Sequence, residues 1–241
     1  YYQTGLYENA EKLSLSITKE FPEHQFAWKV LGAVLKETGR ISEALTTCQK
    51  SVQLDPQDAE AHKNLGVILQ EQGRLNEAEE SYKKALALKP DYAEAHINLA
   101  NTLNGQGKLN EAELSYRKSI ALKPDYAEAH NNLGVMLQKE LRRLNEAELS
   151  YRRSIALKPD YAKAHNNLGV ILQEQGRLNE AELCYRKSIA LKPDYAEAYR
   201  NLVLIKRFDS QNELYLKIQK LHLNENISKQ QLCHTNFALA K

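Results

Sequence analysis

Residues 109–138 read LNEAELSYRKSIALKPDYAEAHNNLGVMLQ, and this stretch decides the fold. Near-copies of its second part stand at 58–70 (DAEAHKNLGVILQ), 92–104 (YAEAHINLANTLN) and 161–173 (YAKAHNNLGVILQ). Working outward, the prolines mark the copies. Pro22, Pro56, Pro90, Pro124, Pro159 and Pro193 follow one another at spacings of 34, 34, 34, 35 and 34 residues. A fixed period of this size signals stacked helical repeats, each too small to bury its apolar face alone.

Each copy decodes as two helices. In 93–126, Asp91 is the expected cap of the first helix, with Glu94 completing a capping box. That helix is expected to run to about Gln106, with Ala95, Leu99, Ala100 and Leu103 inward at helical spacing. Gly107 suits the left-handed turn that ends it. Asn110, partnered by Glu113, is the expected cap of the second helix, which turns Ala112, Tyr116, Ser119, Ile120 and Leu122 inward. Pro124 stops it, because proline cannot extend the hydrogen-bond ladder. Small residues recur in both helices: Gly66, Ala100, Gly134 and Gly169 in the first, and Ala44, Ala78, Ala112, Ala147 and Ala181 in the second. They let the helix axes approach closely, opposite Tyr82, Tyr116, Tyr151 or Tyr185.

These residues resemble the tetratricopeptide repeat family. Repeat one supplies Trp28, Leu31, Gly32, Ala44 and Pro56, with Cys48 in an aromatic slot, and later repeats place His62, His96, His130 and His165 in the first aromatic slot. The resemblance covers roughly 1–207 and implies an all-α fold, a right-handed α-solenoid or superhelix of helix-turn-helix repeats. The repeats are read as 25–58, 59–92, 93–126, 127–161 (35 residues) and 162–195. Residues 1–22 read as the second helix of an earlier repeat, with Gly5 as its turn, 196–224 as a degenerate repeat, and 228–241 as the start of a further truncated helix. In the 35-residue copy, KELRRLNE (139–146) lacks the turn glycine and carries one extra residue. The expectation there is an altered turn that slightly displaces its two helices.

Composition narrows the function. The chain has 241 residues, with 33 Lys and Arg against 31 Asp and Glu, a balance that favours neither nucleic acid nor an anionic membrane. No apolar run approaches the roughly 20 residues of a membrane span. Three scattered cysteines, Cys48, Cys184 and Cys233, suit a reducing, cytoplasmic setting, while a start at Tyr1 leaves secretion open. The histidines recur one per repeat, too far apart to share a metal ion, so no metal or other cofactor is expected. The basic pairs Lys83-Lys84, Arg117-Lys118, Arg152-Arg153 and Arg186-Lys187 each have Glu four residues before their first member, which reads as a solvated, ion-paired face. No phosphate loop, nucleophile elbow or HExxH occurs, so this segment is not expected to be an enzyme.

One feature is not required by packing: in each copy that carries the His, the second residue after it is Asn. Asn64, Asn98, Asn132 and Asn167 are joined by Asn201 after Tyr199, while Val30 takes the place in repeat one. First helices line the inner wall of such stacks. Asn offers both donor and acceptor, so a row of it suits an extended peptide backbone. The expected groove set is Asn64, Asn98, Asn132, Asn167 and Asn201, together with Asn131, Asn166, Gln138, Gln173, Lys63 and Asn101. The competing reading is that each Asn bonds neighbouring repeats and sets their stacking.

Family resemblance implies a non-catalytic scaffold with a protein or peptide partner. The Asn row is similar to that of O-linked N-acetylglucosamine transferases, and HTNFALAK (234–241) resembles the junction before a sulfotransferase domain, so the segment would recruit substrate for a larger transferase. Lys29 and Lys63 stand where chaperone-binding members use a clamp. Ala33, Glu94 and Asn98 break that pattern, so chaperone binding is not expected. The rival function is end-to-end self-assembly into filaments.

Overall fold

The structure is a computed structural model and describes residues 7–140, 142–205, 213–223 and 228–239. Gly5, the 206–212 connection and the last two residues therefore lie outside it. The described residues form fourteen helices and no strand. They fall into two compact units, Tyr1–Pro124 and Asp125–Lys241. The first holds α1 (Tyr7–Glu20), α2 (Gln25–Glu37), α3 (Ile41–Leu54), α4 (Ala59–Glu71), α5 (Leu75–Leu88), α6 (Ala93–Gly105) and α7 (Leu109–Leu122). The second holds α8 (Ala127–Lys139), α9 (Leu144–Leu157), α10 (Ala162–Glu174), α11 (Leu178–Leu191), α12 (Ala196–Ile205), α13 (Glu213–His222) and α14 (Lys229–Leu239).

Within each unit the helices alternate as first and second members of a pair. A first helix packs on its own second helix, on the second helix before it and on neighbouring first helices. The closest approach is at the small residues. Tyr82, Tyr151 and Tyr185 are fully buried with their rings against Gly66, Gly134 and Gly169, where a Cβ would fall 2.6–2.8 Å from the ring. Each tyrosine hydroxyl donates across the pair to a glutamine: Gln70 at 3.0 Å, Gln138 at 3.0 Å and Gln173 at 2.8 Å. Repeat one substitutes Cys48 in an apolar cluster with Leu31, Leu35, Ala44 and Ile68, where burial pushes the thiol up to about 12.

Two further bonds repeat along the chain. The aromatic-slot residue donates to the carbonyl of the proline six residues earlier: Trp28 to Pro22 at 2.7 Å, His62 to Pro56, His96 to Pro90 and His165 to Pro159 at 3.0 Å, and Tyr199 to Pro193 at 3.1 Å. The slot therefore selects a ring bearing an N–H or O–H donor, and in the histidines the proton sits on Nε2. Ser119, Ser154 and Ser188 donate to the carbonyls of Ala93, Ala127 and Ala162 at 2.8–2.9 Å, tying each second helix to the start of its partner.

The capping expectation is corrected. The caps of α6 and α7 are Tyr92 and Lys108, neither with a side-chain capping bond, and Asp91 and Asn110 fall one residue before and two after them. Asp58, accepting from the Glu60 and Ala61 amides, does cap α4. Before most second helices the cap residue is instead an arginine gripping the glutamate three residues on: Arg74 on Glu77, Arg143 on Glu146 and Arg177 on Glu180, each through Nε and Nη2.

The turn between helices uses Gly39, Gly73, Gly107 and Gly176 at φ of 73–76°. Arg142 occupies this left-handed position in the 35-residue copy, at φ 54°. The amide after the turn bonds back five residues in the ordinary copies, as Arg177 does to Leu172 at 2.8 Å, and six residues in the long one, Arg143 to Leu137 at 2.8 Å. The two helices of this copy, α8 and α9, are regular and pack on each other as in the other copies. They keep 13 and 14 residues, and Gly134 meets Tyr151 as Gly66 meets Tyr82. The extra residue is absorbed in the turn.

At the C-terminal end, α12 is overlaid by α14 and flanked by α13. Ile218 joins Tyr199 and Val203 in one cluster, and Gln231 donates to the carbonyl of Asp194 at 3.2 Å.

Candidate functional site

The residues expected to line a groove divide into two kinds. In the first unit, Asn64 and Asn98 are half-buried on α4 and α6, and neither side-chain amide makes a hydrogen bond among the described residues. Asn64 lines an open pocket between α2 and α4 with Lys63, Lys36, Ala33 and Val67. Asn101 differs, because its Oδ1 accepts from the Tyr116 hydroxyl at 2.6 Å.

In the second unit the asparagines bond one another across repeats. Asn167 donates to Asn131 Oδ1 at 3.0 Å, and Asn201 donates to Asn166 Oδ1 at 3.0 Å. Asn131 also donates to Asn132 at 3.1 Å. Asn131 and Asn166 are 0% exposed and Asn201 is 3% exposed; the first two are spent on contacts between repeats, while Asn201 also borders the concavity of this unit. Gln138, 5% exposed, accepts from Tyr151 and donates to Glu174 at 3.0 Å, and Gln173 accepts from Tyr185. The physical reason is geometric. A first helix has neighbours on three sides, and in this unit the residue after the histidine, Asn131 or Asn166, faces the next first helix and accepts from its asparagine.

The second unit keeps an open concavity of about 310 Å³, lined by the expected residues Gln138, Asn167, Gln173 and Asn201 together with Val135, Val170, Glu197 and Arg200 among others. Arg200 stands at the position of Asn131 and Asn166 and donates to Asn201 at 3.2 Å. It was legible in the sequence as the one charged residue at that place in this unit.

The second helices carry the expected ion pairs. Lys83 meets Glu79 at 2.6 Å, Arg117 meets Glu113 at 2.7 Å, Arg152 meets Glu148 at 2.8 Å and Arg186 meets Glu182 at 2.9 Å. Two of these glutamates also bridge repeats, Glu79 to Lys108 at 2.6 Å and Glu148 to Arg177 at 2.9 Å. Lys108 and Lys83 together hold the Glu79 carboxyl down at about 2. Among the described residues no group of three His, Cys, Asp or Glu converges as metal ligands would, and no helix is long and apolar enough to cross a membrane.

Models of the tetratricopeptide repeat match residues 59–92, 162–195 and 81–113, and a further TPR repeat model matches 32–73, 100–140 and 140–176, so the matches run from 32 to 195 without a gap. The chain is a tetratricopeptide repeat protein. No curated protein matches it. Among solved structures, MamA is similar at 25% identity and a TM-score of 0.60, over 69% of this chain and 97% of that one. TTC0263, a thermophilic TPR protein of Thermus thermophilus, is similar at 25% identity and a TM-score of 0.63, over 75% and 98%. YrrB, a TPR protein with an unusual peptide-binding site, shares the fold at 22% identity and a TM-score of 0.57, over 77% and 95%. The tetratricopeptide fold is in general a non-catalytic scaffold for protein interaction.

Proposed function

We propose that the chain holds an extended polypeptide segment against the first helices of its first unit, with Asn64 and Asn98 bonding the ligand backbone. The observation that carries this is the contrast between units. The same residue type at the same repeat position is spent on internal bonds at Asn167 and Asn201, and is uncommitted at Asn64 and Asn98. An amide with a free donor and a free acceptor can take up one peptide group of a strand-like ligand. YrrB supports the reading, being the same fold with a peptide-binding site.

The test is selection of peptides from a displayed random library on the full chain, followed by affinity measurement on Asn64→Ala/Asn98→Ala. Selected peptides should bind the double variant at least about tenfold more weakly, the worth of one or two net hydrogen bonds, with thermal stability unchanged. Equal binding by the variant, or no enrichment at all, would sink the proposal. Recruitment of substrate for a transferase domain is a further step that rests on 234–241 alone, and the reading frame after Lys241 tests it.

A further inference from the structure

Lys29 and Lys63 hold the same place in successive repeats, yet their surroundings differ. Lys29 is neutralised by the next repeat: its Nζ lies 2.9 Å from Asp58 and 2.7 Å from Glu60. The residues that stand in those places for Lys63 are Tyr92 and Glu94. Tyr92 has no carboxylate to offer, and the Lys63 ammonium lies over its ring, 5.9 Å from the centroid. Glu94 is drawn to Lys123 at 3.6 Å. Among the described residues Lys63 makes no hydrogen bond and no ion pair, although it is more than half buried. Burial holds it below the ordinary lysine value against the pull of Glu60 and Glu94, and Lys36 and Lys29 push the same way as burial.

A largely desolvated ammonium without a counter-ion is costly. The cost falls if a carboxylate reaches it from outside, and the way is open. Lys63 lines the pocket between α2 and α4 beside Lys36 and the uncommitted amide of Asn64. Gly32, Cys48 and Ile68 form its apolar wall.

We infer that this pocket is the specificity site of the first unit and takes the side-chain carboxylate of an Asp or Glu in the bound polypeptide. Lys63 supplies the charge and Asn64 donates a second hydrogen bond to the carboxylate; Lys36, ion-paired with Glu37, borders the pocket without adding a free charge. The inference rests on the groove reading only for its place within a peptide site. The lysine and its missing partner stand independently of it.

The test therefore uses a probe too small to need a groove. N-acetylglutamate amide is titrated at constant ionic strength into the full chain, with N-acetylglutamine amide as the neutral match, while the Lys63 ε-methylene signal is followed by NMR. Lys63→Arg assigns the signal. Saturable movement is expected with the glutamate compound only. Tyr92→Asp supplies the internal carboxylate that Asp58 gives Lys29, and it should weaken the response at least about tenfold, the worth of one charge-assisted hydrogen bond. Aspartate is a native occupant of this position in the preceding repeat, so the variant is expected to fold. No movement, equal movement with the glutamine compound, or an unchanged response in Tyr92→Asp would each overturn the assignment. Tighter binding of N-acetylalanine, whose carboxylate is a chain end, would reassign the pocket to a terminus and overturn it as well. Asn98 lies outside this pocket and serves the backbone reading alone, so a positive result here with Asn98→Ala still binding selected peptides normally would separate the two proposals, counting against the backbone reading and keeping the acid site.

Discussion

Gly169→Ala probes how closely the two helices of a repeat are held together. A Cβ at Gly169 meets Cε1 of Tyr185 at 2.6 Å, Cδ1 at 2.8 Å and Cζ at 3.1 Å, whereas unstrained carbon contacts lie at about 3.5–4.0 Å. The ring has nowhere inexpensive to go: it is fully buried, and its hydroxyl is tied to Gln173. Two effects oppose each other. Alanine is favoured over glycine in a helix interior by about 1 kcal/mol. An extra methyl in a close-packed site costs about 1–3 kcal/mol. With three ring atoms overlapped, the upper part of that range applies, leaving a net loss of about 1–2 kcal/mol.

The third repeat supplies a natural control. Ala100 stands where the others have glycine, and Tyr116 is still buried. Its hydroxyl has moved to Asn101 at 2.6 Å, and Asn104, one methylene shorter than the glutamine it replaces, has a buried Oδ1 without a protein partner. Repeat three thus accommodates the methyl by turning the tyrosine to a new acceptor. Transplanting that solution as Gly169→Ala/Val170→Asn/Gln173→Asn should recover part of the loss. The assay is urea unfolding followed by circular dichroism, with hydrogen exchange of α10 and α11 to localise the effect. In a thermal melt the single variant should fall by about 2–8 °C, given 2–4 °C per kcal/mol at this chain length. A single variant as stable as the parent would show that helix propensity outweighs the ring contact. A triple variant no better than the single one would refute the account of repeat three.

Arg142→Gly should stabilise the chain by about 0.5–1 kcal/mol, because left-handed backbone costs an L-residue about 1–2 kcal/mol and glycine returns part of that through its looser unfolded state; a lower urea midpoint would contradict it. Asn131→Ala removes the acceptor of Asn167 and a donor to Asn132 in a buried place, so it should cost about 1–3 kcal/mol, whereas Asn64→Ala should stay within about 0.5 kcal/mol of the parent. Matching midpoints for those two variants would erase the distinction between the units. The Glu79 carboxyl is depressed when folded, so its contribution is complete above the ordinary glutamate value of 4.5 and is lost as pH falls towards about 2. Allowing for solvent around Lys83 and Lys108, that contribution is on the order of 1–2 kcal/mol. Unfolding titrations of the parent and Glu79→Gln should therefore converge below pH of about 2, and a constant gap would refute the linkage.

What was legible in the sequence was whatever depends on a residue and its own repeat. The proline period, the small residues opposite the tyrosines, the turn glycines and the i, i+4 ion pairs all follow from local chemistry, and each stands where expected. Caps were misplaced because Asp91 and Asn110 were chosen by residue type, while the helix start is fixed by the turn: the Lys108 amide reaches back to Leu103, so the helix starts at Leu109. The groove was only half legible because it depends on pairs about 35 residues apart. An asparagine after the slot bonds the residue that follows the slot in the preceding repeat. For Asn167 and Asn201 those residues are Asn131 and Asn166, amides that can answer an amide. For Asn64 and Asn98 they are Lys29 and Lys63, which are turned elsewhere, the first to Asp58 and Glu60 and the second over the Tyr92 ring. The same rule that closes Asn167 and Asn201 leaves Asn64 and Asn98 open, and of the two lysines it places beside them Lys29 is ion-paired while Lys63 has no ion pair among the described residues. Neighbouring repeats, compared one position apart, therefore carry the information about binding that the repeat consensus averages away.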